Sequence, residues 1–118
     1  MLDRTTIDQL IADIGKDVFL RLSLQFLEET ANRLEALKTT RAAEAWPELA
    51  RHAHSLKSTA QSFGLVETGM LARELQLAAD HLETDKIDAA LPKLLVVTAA
   101  ECSEFQGLRG ELASHREG

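Results

Sequence analysis

Cysteine is nearly missing from this chain: Cys102 stands alone among 118 residues, which excludes an internal disulfide and a multi-cysteine zinc site and suits a reducing compartment. Tyrosine is absent, tryptophan occurs once and β-branched runs are few, so a sheet lacks its usual material. Abundant Leu, Ala, Glu, Gln and Arg supply helices instead. No apolar run approaches the ~20 residues that span a bilayer, and Met1-Leu2-Asp3-Arg4 offers no signal-peptide core, so the expectation is a cytoplasmic protein. Lys and Arg form no cluster, and a net charge of −6 lacks the basic footprint that nucleic acid or an anionic membrane requires; a protein partner fits better.

What is present fits one domain over residues 1–118, since 45% hydrophobic residues suffice for a single core. Five helical segments are predicted. The first, about 6–14, opens on a Thr6/Gln9 capping box, carries Ile7, Leu10, Ile11 and Ile14 at helical spacing, and stops at Gly15. The second, about 17–38, has a core row of Leu20, Leu24, Leu27, Ala31 and Leu34. A further row of Val18, Leu22, Gln25 and Glu29, with Phe19 and Phe26 between the two, either faces a partner or lies between neighbouring helices. The third, about 46–63, opens at Trp46-Pro47, buries Leu49, Ala53, Leu56, Ala60 and Phe63, and ends at Gly64. The fourth, about 66–82, buries Leu71, Leu75, Ala78 and Leu82. The fifth, about 86–108, buries Leu91, Leu95, Thr98, Cys102 and Phe105 and has Pro92 near its first turns. Short connections make successive helices antiparallel, so the predicted fold is all-α, an antiparallel up-down-up-down four-helix bundle with the short N-terminal helix across one end.

The third helix holds the reactive groups. At ~100° per residue, His54 points about 140° from its core row, and Lys57, Ser58 and Gln61 fall within roughly 60° of His54. His52 lies on the other flank. A free imidazole, with an ordinary pKa near 6.5, is mostly neutral at pH 7 and is a nucleophile that needs no general base. A lysine one turn along offsets the charge of a phosphoryl group, and a small residue at 58 leaves the ring approachable. A helical His with a Lys three residues on is nonetheless common in any bundle.

The stretch His54-Ser55-Leu56-Lys57-Ser58, with Gly64 ten residues after the histidine, resembles the signature of histidine phosphotransfer (HPt) domains, His-x-Leu-Lys-Gly with a later Gly at that position. Leu24-Gln25-Phe26-Leu27-Glu28-Glu29 sits where such domains carry a similar segment, and the resemblance spans essentially the whole chain. It implies that His54 is the phospho-acceptor and Lys57 the cation of the site, and that Ser58 occupies the usual glycine position, either narrowing access or donating a hydrogen bond. Lys57-Ser58-Thr59-Ala60, followed by Ser62-Phe63-Gly64, is similar to the form in LuxU-type quorum-sensing phosphotransferases, as is the Ile14-Gly15 junction.

In an antiparallel hairpin Gln76, twelve residues beyond Gly64, stands level with His54 and either bonds its ring or is simply solvated. The resemblance further implies docking through Ile7, Ile11, Ile14, Leu22, Gln25, Glu29 and Gln61, although Ile7, Ile11 and Ile14 equally suit a cap on the bundle. It implies as partners the receiver domains of a hybrid sensor kinase and of a response regulator. The expected protein is a monomeric phosphocarrier with no cofactor of its own and no kinase activity, Mg²⁺ belonging to the receiver.

Other chemistries fit less well. A histidine-kinase dimerisation helix normally follows its histidine with an acid, and Ser55 stands here; no P-loop-like phosphate cradle occurs. Glu-x-x-His metal pairs are missing, since Ala78 precedes His81 and Leu112 precedes His115 at that offset. A helical adaptor that binds a signalling partner without carrying phosphate is the competing reading.

Overall fold

The computed structural model describes residues 1–114, and His115 lies outside them. They form five helices, α1 (Arg4–Ile14), α2 (Lys16–Ala42), α3 (Trp46–Ser62), α4 (Val66–Asp80) and α5 (Thr84–Ser114). Among the described residues there is no strand, only an isolated antiparallel bridge between Leu2 and Leu65.

Helix α1 starts two residues before the expected Thr6 cap. Asp3 is the N-cap instead: its carboxylate accepts from the Thr6 N–H at 3.3 Å and the Thr6 hydroxyl at 2.8 Å. Gln9 reaches forward to Asp13 rather than back to a cap. What favours Asp3 is long-range, because its own N–H donates to Gly64 O at 2.8 Å and so fixes where the chain turns into the helix. Gly64 has φ +80, and a Cβ there would lie 2.9 Å from Asp3 O, so this position needs glycine both for its turn and for the crossing segment. Gly15, φ +86, is the single residue joining α1 to α2; its N–H donates to Ile11 O and its carbonyl accepts from Phe19.

Contacts between helices give their pairing. Arg41 near the C-terminus of α2 holds Asp88 near the start of α5 through 2.6 and 3.0 Å bonds, while Arg109 near the end of α5 donates to Ser23 Oγ and Leu20 O near the start of α2. These two helices therefore run antiparallel. His54 meets Gln76, and Gly69 meets Gln61, which sets α3 and α4 antiparallel. Thr68 bonds Thr98 and Glu101, joining α4 to α5. Small buried residues, Ala53, Ala60, Gly69, Ala72 and Ala79, line α3 and α4 and let them pack closely.

The core has two apolar parts. Leu37, Leu49, Leu56, Leu75, Ile87 and Leu94 belong to one. Ile7, Phe19, Phe26, Leu65 and Phe105 belong to the other, with Phe63 packed on it. Between them, counted along each helix, lie the buried polar residues Thr30, Thr68, Thr98 and Glu101. Glu101 accepts from the Thr68 and Glu67 N–H groups at 2.7 and 3.3 Å, capping α4 from a neighbouring helix. Thr30 Oγ1 finds no partner among the described residues.

Several expectations need correction. The core row of α2 is Phe19, Ser23, Phe26, Thr30 and Leu37, one position away from the leucine row. Leu24 is 49% exposed and Ala31 also faces out, while Leu27 and Leu34 pack only on the edges of the core. The cause is that α2 touches α1, α3 and α5, so several of its rows are partly covered. Leu82 lies beyond α4, at φ 55 and 63% exposed. Helices α2 and α5 outrun their expected ends, and α5 passes through Pro92.

Candidate functional site

On α3 the inward residues Ala53, Leu56 and Ala60 are fully packed, so the intervening His54, Ser58 and Gln61 stand exposed and Lys57 half-buried. Across the groove, Gln76 Oε1 lies 3.2 Å from His54 Nδ1. A carbonyl oxygen only accepts, so Nδ1 donates, and in the neutral ring the lone pair is then on Nε2. The imidazole is thereby oriented with Nε2 on the ring edge opposite Gln76.

The stripe of α4 that faces this histidine contains two residues that sequence reasoning missed. A Cβ on Gly69 would sit 3.2 Å from Gln61 Cγ and 3.9 Å from Lys57 O, so the missing side chain is what lets α4 approach the site. Arg73, exposed, falls between Gly69 and Gln76 at i+4 and i+7 spacing. The i, i+4, i+7 spacing about Gln76 is the signal that could have found both.

His52 is on the other flank, as its phase requires. Its Nδ1 accepts from Arg33 Nη1 at 2.9 Å, since a guanidinium only donates. Burial, followed by the charges of Arg33 and Arg51, pushes its pKa below the ordinary histidine value, with Glu48 opposing. The unfolded chain therefore takes up this proton first: the contribution to stability is complete above the ordinary value and is lost as pH falls through the lower folded one. Between pH 7 and 5 the melting temperature of the wild type is expected to fall more steeply than that of His52→Gln, whose amide still accepts from Arg33. Parallel curves in a thermal-melt series would remove His52 from the pH response.

The residues expected to dock a partner separate into two groups. Leu22, 43% exposed, and Gln25 and Glu29 stand free on the surface of α2. Ile11 and Ile14 are half-buried against the phenylalanine-rich part of the core. Ile7 is a correction, because at 0% exposure, beneath Gly64, it is core and presents no surface.

Elsewhere the structure offers little competing chemistry. Among the described residues no group of three His, Cys, Asp or Glu side chains is placed to hold a metal ion. Burial raises the Cys102 thiol to about 11, which keeps it protonated at neutral pH. No helix is long and apolar enough to cross a membrane among the described residues. Hollows lie between α4 and α5 beside Leu77 and Lys86, and beside Arg33 and His52, and neither takes in His54.

Comparison with known proteins bears on the fold and the family. The crystal structure of histidine-containing phosphotransfer protein B (HptB) from Pseudomonas aeruginosa PAO1 superposes with a TM-score of 0.89 over 98% of this chain and 96% of that one, at 23% sequence identity. At that identity the likeness establishes the fold, an all-helical one. No curated protein sequence matches the chain. The family model described as the Hpt domain matches residues 21–114, which takes in α3, α4, α5 and all but the first turn of α2. The chain belongs to the Hpt domain family, and histidine phosphotransfer is the activity that this membership assigns.

Proposed function

We propose that His54 takes a phosphoryl group from the aspartyl phosphate of one receiver domain, that of a hybrid sensor kinase, and passes it to the aspartate of a second, in a response regulator. The observation that carries the reading is the exposed His54 ring with its Nδ1 proton held by Gln76. The Nε2 lone pair attacks phosphorus in line; the N–P bond forms as the P–O bond to the aspartyl carboxyl breaks, and the carboxylate leaves with the electron pair. The ring becomes an imidazolium that retains its Nδ1 proton on Gln76, so no base is required. Attack by the second receiver's carboxylate reverses the sequence.

The chain supplies a nucleophile, the local charge of Lys57 and a docking face, while the Mg²⁺ that neutralises phosphoryl charge belongs to the receiver. Docking through Leu22, Gln25 and Glu29, with Ile11 and Ile14 at the edge and Gln61 and Ser58 beside the ring, fits their exposure. An up-down-up-down bundle, closed at one end by α1, is the frame on which these groups are held, and the protein acts as a monomer in the cytoplasm. Its resting site resembles the LuxU-type variant through Ser58.

The test is a relay in solution. A receiver phosphorylated in the presence of Mg²⁺ should lose its label to this protein, and addition of a second receiver should drain the label from it. A chain that binds receivers without ever becoming labelled would instead be an adaptor.

A further inference from the structure

We propose that Arg73 is a second cation of the His54 site, closing on the phosphoryl group from the α4 wall of the groove while Lys57 approaches from α3. The inference rests on the phosphocarrier reading above and deepens it. It begins from two facing stripes. On α3, His54, Lys57 and Gln61 recur at i, i+3 and i+7; on α4, Gly69, Arg73 and Gln76 recur at i, i+4 and i+7. The outer members of the α4 stripe both touch the α3 stripe, Gln76 through its 3.2 Å approach to His54 and Gly69 through its closeness to Gln61 and Lys57 O. Arg73 is therefore held at the height of Lys57 on the opposite wall. Its neighbour Ala72 is fully buried and Arg73 itself is exposed, so the side chain rises along the wall toward solvent.

The charges of this groove are unbalanced. Arg41 pairs with Asp88, Lys38 with Glu35, Lys86 with Glu83 and Arg51 with Glu48. Neither Lys57 nor Arg73 takes part in a side-chain hydrogen bond or ion pair among the described residues. Glu74 turns to the α5 side, where it lines the hollow beside Lys86, and Asp80, the next acid on the Arg73 side of α4, is two turns away. In a chain of net charge −6, two unpaired cations facing across one groove repel each other and are relieved by an anion between them. A phosphoryl group on His54 Nε2 is a dianion one turn along the groove from both cations, within reach of their long side chains, and the planar fork of arginine suits its oxygens better than a second lysine would.

The experiment uses the whole chain and phosphoramidate, a small donor with no docking surface. The phosphoryl group passes from the phosphoramidate nitrogen to His54 Nε2, ammonia leaves, and ³¹P NMR follows both the rate and the titration of the product. Arg73→Gln is expected to slow labelling about three- to tenfold, the range for losing an exposed charge-assisted hydrogen bond, and Arg73→Lys to recover most of it. The second ionisation of the phosphoryl group should move about half a pH unit upward in Arg73→Gln, because the cation that favoured the dianion is gone. Wild-type rate and titration in Arg73→Gln would overturn the proposal. So would a loss seen only with a phosphorylated receiver, which would assign Arg73 to the protein partner. Failure of the wild type to label on His54 is a different result and would overturn the phosphocarrier reading itself.

Discussion

Glutamine in place of His54 is expected to abolish phosphoryl uptake altogether while leaving the protein folded. The wild type, incubated with a phosphorylated receiver, should acquire a label that acid removes and alkali does not, as an N–P bond requires. The variant should acquire none, because an amide has no nucleophilic lone pair at the Nε2 position. Glutamine is polar and close in size, and residue 54 is exposed, so stability should stay within about 0.5 kcal/mol. The outcome separates a carrier from a helical adaptor, since an adaptor would bind the receiver in both forms and become labelled in neither. Label persisting on His54→Gln would move the acceptor elsewhere in the chain.

The second large effect concerns stability. Phe105 is fully buried, and its ring centre lies 6.0 Å from Phe19, 5.5 Å from Phe26 and 6.0 Å from Phe63, with Phe26 and Phe63 stacked at 4.4 Å. Edge and tilted contacts of this kind add to the burial of each ring. Phe63 also meets the other three rings but is only partly buried, so Phe105→Ala removes the fully buried one of the two and leaves a cavity that the helix backbones cannot close. The expected loss is about 3–5 kcal/mol, with the milder Phe105→Leu retaining much of the stability. For a domain of this size that corresponds to a melting temperature lower by roughly 10–20 °C. Denaturant titration of both variants is the check, and a loss under about 1 kcal/mol for the alanine variant would mean that the cluster is not the anchor of this part of the core. Labelling of the folded fraction at His54 should persist, because His54 is exposed and does not belong to the phenylalanine-rich part of the core.

The same cluster shows what local pattern could and could not convey. Helix α3 was readable because its apolar residues fall on one side and its reactive ones on the other, and the five helices follow from breakers such as Gly15 and Gly64. Helix α2 was not, because Leu20, Leu24, Leu27 and Leu34 repeat with the same period as Phe19, Phe26 and Leu37, and only contacts with three neighbouring helices decide which row is central. Asp3 and Thr6 are both competent caps, and the bond from Asp3 to Gly64, far along the chain, decides between them. Helical phase was enough to place His54 and Lys57 on one exposed side of α3, but their roles were legible only through the resemblance. Gln76, by its level in the hairpin, was a candidate that the 3.2 Å approach to His54 supports. Gly69 and Arg73 were harder to see, since their i, i+4, i+7 spacing with Gln76 points to the site only once Gln76 is known to face His54. Ile7 was ambiguous for the converse reason: an apolar residue on a short amphipathic helix can face a partner or the core, and here the crossing segment at Gly64 covers it.

The belt of Thr68, Thr98 and Glu101 between the two apolar halves has a mechanical consequence. Sliding α5 by one turn along α4 would leave the Glu101 carboxylate without the amides it serves and drive it among leucines, a penalty of several kcal/mol that greasy side chains alone would not impose. The bundle is thus indexed like a gear with one engaged tooth. In the relay proposed above, a visiting aspartyl phosphate would meet an imidazole at a set height, and any adjustment needed for in-line attack would have to come from the visitor.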